Sequence, residues 1–163
     1  MSSRTIKNSS VPLSIELLFN NEKLDIMKTL CLLYAFSKDS RKRRTVSEIM
    51  FYYSLVNFDL IKLFETDEKF RYGVKPSPNL YFRFQSKING ILLNMLHLQF
   101  INLKGDITKK LDETIVQITS TGEEFIDELN SVFFSNLVFE YSQTLEKIKF
   151  SGSNLKVVKG VQQ

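Results

Sequence analysis

The chain has 163 residues, 43% of them hydrophobic, which is enough for one buried core and suggests one domain with short appendages. No apolar run approaches the roughly 18 to 20 residues that span a bilayer, and residues 1–11 carry no apolar signal-peptide core, so a cytoplasmic protein is expected. Cys31 is the single cysteine, which excludes an intramolecular disulfide and any metal site built on several cysteines, and the net charge of +4 equals the balance of Lys38, Arg41, Lys42, Arg43 and Arg44 against Asp39.

Residues 1–12 lack periodicity and read as a flexible N-terminal arm; residues 13–20 read as a short strand or helical turn that opens the domain. From Glu22 the spacing predicts a helix whose buried face is Leu24, Met27, Leu30, Cys31, Tyr34 and Ala35, ending near Ser37 before the basic loop. Cys31 itself reads as a buried apolar residue. Thr45-Val46-Ser47-Glu48 has the spacing of a capping box and opens a second helix through about Leu55. A further helical segment is expected over residues 57–64, where Phe58 and Phe64 continue the aromatic spacing of Phe51, Tyr52 and Tyr53. Gly73, Pro76 and Pro78 make residues 65–78 a loop or insertion.

Pro78 and Asn79 then launch a long helix whose apolar face is Ile88, Ile91, Leu92, Met95, Leu96 and the residues up to Phe100. Residues 100–103 and 114–118 switch towards a period of two and predict a hairpin, with Gly105-Asp106 and a polar run to Glu113 between its strands. Ser120 or Thr121 is the expected N-cap of the next helix, which starts with Glu123 and Glu124. A stripe of Phe125, Leu129, Val132, Phe133, Leu137, Val138, Tyr141 and Leu145 extends that helix towards Ile148, and the glycine-containing, basic residues 151–163 read as a flexible tail. The order of elements predicts a mainly α fold: a winged helix-turn-helix over residues 13–150, with a small β-hairpin wing and a C-terminal helix.

Catalytic chemistry has little in its favour. The chain has no glycine-rich phosphate loop, nucleophile elbow or metal-ligand spacing, and its one histidine, His97, has no carboxylate or cysteine partner in view. Asp112-Glu113 suits a turn and Glu123-Glu124 complements a helix N-terminus. The expectation is a protein that is not an enzyme, with no catalytic residue, cofactor or metal.

Two kinds of surface remain as candidates. A cluster of Arg41, Lys42, Arg43 and Arg44 suits phosphate oxygens by charge and bidentate hydrogen bonds, and equally suits a solvated turn. Arg83 and Lys87, with Gln85, Ser86, Asn89 and Asn94, give the long helix a modest reading face for DNA. Lys104, Lys109 and Lys110 of the wing are cancelled by Asp106, Asp112 and Glu113, so little counterion release is expected there. Phe133, Phe134, Leu137, Val138 and Tyr141 are candidates for binding a protein partner, with a wide core contact inside the monomer as the competing reading.

Residues 23–35, the segment Phe51-Tyr52-Tyr53-Ser54-Leu55-Val56-Asn57-Phe58, the helix of residues 80–99 and Thr119-Ser120-Thr121-Gly122-Glu123-Glu124-Phe125-Ile126 resemble the small middle components of bacterial three-component ABC ATPase systems (ABC-3C). These include the accessory subunits of Lamassu-type defence complexes. The likeness covers residues 15–150 and lies in order, length and spacing. It implies a non-enzymatic subunit that binds an SMC- or Rad50-like ATPase and helps couple DNA sensing to an effector such as a nuclease, in antiviral or anti-plasmid defence. It carries over no catalytic residue. Double-stranded DNA is a further expected partner and a membrane is not. The alternative is a free-standing winged-helix DNA-binding transcriptional regulator.

Overall fold

In the computed structural model, which describes residues 21–65 and 78–160, helix α1 (Asn21–Ser37) occupies the centre. Leu30, Cys31, Leu32, Leu33, Ala35 and Phe36 are all buried, so over its C-terminal half apolar side chains leave this helix in every direction and are covered all round. The one-sided face read from the sequence is therefore too narrow, and its Leu24 and Met27 are only half-buried. The expected arm of residues 1–12, the short element at 13–20 and most of the 65–78 loop lie outside the described residues.

A two-residue strand, β1 (Arg44–Thr45), runs straight into α2 (Val46–Asn57). Thr45 caps α2 as the spacing predicts, its Oγ1 accepting the Glu48 N–H at 3.2 Å. The reciprocal half of a capping box is missing, because the Glu48 carboxylate is taken by Arg41 and Arg44. Phe51, Tyr52 and Tyr53 are buried: Phe51 meets Phe150 edge-on, Tyr53 stacks on Phe84 with ring centroids 3.8 Å apart, and the Tyr52 hydroxyl donates to the Ile148 carbonyl at 2.8 Å. The helical segment expected over 57–64 is a short 3-10 turn, Leu60–Phe64, entered through a left-handed Asp59 with φ 57°.

Helix α3 (Pro78–His97) buries Tyr81, Phe84, Ile88, Ile91, Leu92 and Met95, the three- and four-residue spacing of the sequence. Leu96 departs from expectation, being 41% exposed at the edge of that seam. After a left-handed Gln99 come β2 (Ile101–Lys104), a 3-10 turn at Leu111–Glu113 and β3 (Ile115–Ile118). The sheet is antiparallel in the order β1-β3-β2, with Arg44 opposite Val116, Leu103 opposite Val116 and Asn102 opposite Gln117. Alternation then sends Ile101, Val116 and Ile118 to the core. It sends Asn102, Lys104 and Gln117 to the other face.

Helix α4 (Ser120–Glu128) is capped by Thr119, not by Ser120 or Thr121 as the sequence suggested. Thr119 Oγ1 accepts the Gly122 N–H at 3.1 Å and donates to the Gln99 carbonyl at 2.7 Å, which ties the helix start to the end of α3. The single long helix expected from Glu123 to Ile148 is two helices: the chain leaves α4 at Leu129, and Ser131 caps α5 (Val132–Lys147). The flexible tail expected from residue 151 is also corrected, because Ser151 caps a further helix, α6 (Gly152–Lys159), that ends on a left-handed Gly160. Val158 of α6 is fully buried, and the helix packs on α3 and α2. The fold is thus mainly helical with a small three-stranded antiparallel sheet, and among the described residues no helix is long and apolar enough to cross a membrane.

Candidate functional site

The four cations of residues 41–44 do not form one open patch. Arg44 faces the core because of its place opposite Val116, and it is 7% exposed. Its guanidinium bonds Glu48 Oε2 at 3.1 Å, Asp39 Oδ2 at 2.7 Å and the Arg41 carbonyl at 2.8 Å, and lies 4.7 Å from the centre of the Phe36 ring. Arg41 reaches the same Glu48 oxygen at 2.8 Å, and Lys42 pairs with Glu123 of α4 at 2.8 Å. Three of the four are therefore spent on carboxylates of the protein itself. Only Arg43 of this cluster has no carboxylate partner among the described residues; its Nε donates to Gln117 Oε1 at 3.1 Å. Arg44 is accordingly the poorest of the four as a DNA contact, since its guanidinium is already bonded to two carboxylates and a carbonyl and is 7% exposed.

Arg83 and Lys87 are exposed on α3 as expected, though Lys87 Nζ stands 3.8 Å from Asp25 Oδ2. The exposed side of α3 beside them is more apolar than the sequence reading allowed. Phe82 and Leu93 are both exposed on it, three helical turns apart and nearly in line, with the exposed Leu96 one turn beyond Leu93. The periodic pattern concealed this, because one residue of an apolar pair four apart can belong to the seam and the next to the surface.

The five partner-binding candidates on α5 divide. Leu137 is buried, and Tyr141 is fully buried with its hydroxyl donating to the Lys28 carbonyl at 3.1 Å and accepting from Asn57 Nδ2 at 2.7 Å. Both are core residues facing α1 and α2, and are withdrawn as partner contacts. Phe134 and Val138 are half-buried and line a groove of about 270 Å³ with Tyr34, Ile126 and Leu129. Phe133 remains open at 55% exposure, joined by Val132 and Phe139. At the groove edge the Tyr34 hydroxyl donates to Asp127 Oδ1; that bond, then burial, pushes the hydroxyl up to about 12.

His97 is exposed, and among the described residues no group of three or more His, Cys, Asp or Glu side chains is placed to hold a metal ion. Burial pushes the Cys31 thiol up to about 12, which makes it a poor nucleophile. Compared with models of protein families, with characterised proteins and with solved structures, the chain matches none.

Proposed function

We propose that the chain is a non-enzymatic winged-helix interaction subunit that docks through α3 and α5 onto a larger assembly, an SMC-like ATPase with its effector being the partner class that the sequence resemblance suggests. The order helix, strand, helix, helix, strand, strand, with the sheet arranged β1-β3-β2, supports the winged-helix reading. One observation carries the docking reading: the outer face of α3, where a DNA-reading helix needs cations and polar groups, presents Phe82, Leu93 and Leu96 to solvent. Exposed large apolar side chains in line on a helix favour burial against a protein, where aromatic anchors contribute most of the affinity.

The test is affinity purification of the tagged full chain expressed from its native operon. Co-purification of an ATPase, lost on Phe82→Ser/Leu93→Ser or on Phe133→Ser/Phe139→Ser while thermal melting is kept, is the expected result. A monomer that retains no ATPase and represses a promoter beside its own gene would overturn it in favour of the free-standing regulator.

A further inference from the structure

We propose that the solvent face of the three-stranded sheet holds the phosphodiester backbone of duplex DNA, with Arg43 and Lys104 as the phosphate-binding cations and Asn102 and Gln117 as neutral donors between them. This inference stands independently of the docking reading, which concerns α3 and α5.

The register builds the site. Arg44 lies opposite Val116, so the residue before it falls beside Gln117, and Gln117 in turn lies opposite Asn102. Arg43, Gln117 and Asn102 thus form one row across all three strands, and Lys104 stands two residues along β2 from Asn102 on the same face. Three strands place the ends of that row about 10 Å apart. The face encloses a shallow groove of about 230 Å³ lined by Arg43, Asn102, Leu103, Lys104, Ile115 and Gln117.

Charge points to a phosphodiester as the occupant. No carboxylate lines the groove, and among the described residues neither Arg43 nor Lys104 has a carboxylate partner. The Arg43 neighbours are already neutralised, Arg41 and Arg44 by Glu48 and Asp39 together and Lys42 by Glu123. Gln117 holds Arg43 through Nε, which leaves both Nη groups for a bidentate contact with two anionic oxygens. The lining contains no aromatic ring, so stacked bases have no platform there; the face suits backbone contact without sequence reading.

The experiment is fluorescence anisotropy of the full chain with a labelled duplex of about 20 base pairs over a salt series from about 50 to 200 mM. The wild-type chain should bind at the low-salt end. Arg43→Gln and Lys104→Gln should each make the slope of log affinity against log salt shallower by about 0.9, and the double variant should show both changes. Melting curves should be unaltered, since both side chains are exposed. Lys147→Gln/Lys156→Gln, which removes the same charge from α5 and α6, should leave the slope in place. Equal loss in that control would overturn the proposal, as would tighter binding to a single strand of the same length, or no duplex binding by the folded wild-type chain. Retention of the co-purifying ATPase by Arg43→Gln/Lys104→Gln keeps this outcome separate from that of the docking test.

Discussion

Arg44 and Glu48 form an ion pair inside the protein, with Arg44 Nη1 3.1 Å from Glu48 Oε2 and both side chains all but inaccessible, at 7% and 5% exposure. They are neighbours by i,i+4 spacing, but what buries the arginine is the sheet: its place opposite Val116 turns it inward while Arg43 turns out. Removing Glu48 leaves a buried guanidinium with Asp39 as its remaining anion. Glu48→Ala should therefore cost about 3 to 5 kcal/mol, whereas Arg41→Ala, at a side chain 61% exposed, should cost no more than about 1 kcal/mol. Urea denaturation checks both. It also follows that replacing all of Arg41, Lys42, Arg43 and Arg44 by Gln destabilises the fold, and most of that loss should be reproduced by Arg44→Gln alone.

The two leucines Leu92 and Leu96, four residues apart on α3, should respond in opposite ways to a charge. Leu92 is fully buried, so Leu92→Asp places an unpaired carboxylate in the apolar seam and should cost at least about 3 kcal/mol. Leu96→Asp should stay within about 0.5 kcal/mol of the parent. Thermal melting of the pair decides whether the seam has been assigned to the correct side of the helix.

Gly122 is needed at the first turn of α4 for space. A Cβ there would lie 2.6 Å from the Phe100 carbonyl oxygen and 2.8 Å from Ile118 Cγ1. The first of these is backbone, tied to the Thr119 N–H at 2.8 Å, and cannot swing aside. Gly122→Ala should cost about 1 to 3 kcal/mol despite its better helix propensity. Thr119→Ala should cost about 1 kcal/mol through the lost cap. Denaturant midpoints at unchanged m-value are the readout; a stabilised Gly122→Ala variant would show that α4 sits further from β2 than described.

Alkaline pH should weaken the fold. Burial raises the Cys31 thiol from its ordinary 9.0 to about 12, and raises the hydroxyls of Tyr53, Tyr81 and Tyr141 above their ordinary 10.0. The folded protein keeps protons that the unfolded chain has released, so this stability is complete below about pH 9 and falls as pH rises towards 12 and beyond. Denaturation midpoints across that range should decline steadily. At pH 8 Cys31 should react with an aromatic disulfide reagent only at the rate of unfolding, and prompt labelling of the native protein would contradict its burial.

Much of the helical framework was legible from local spacing: α1, the Thr45 cap of α2, the buried line from Ile88 to Met95 and the hairpin strands all follow from periods of 3.6 and 2 and from cap chemistry. Those signals lie within a few residues of one another. Strand β1 was not legible, because two residues carry no period, and with it went the fates of Arg43 and Arg44, which differ only in which side of the sheet each faces. The split of α4 from α5 and the folding of α6 were also hidden, since an apolar stripe runs through the break at Leu129 and Val158 has a core to fill only once α2 and α3 are assembled. On α5 the sequence named an apolar group without dividing it, and only the position of α1 and α2 sends Tyr141 inward and leaves Phe133 outside. Composition and spacing determine which side chains seek burial; partners distant in sequence decide which of them obtain it, and which charges are left for another molecule.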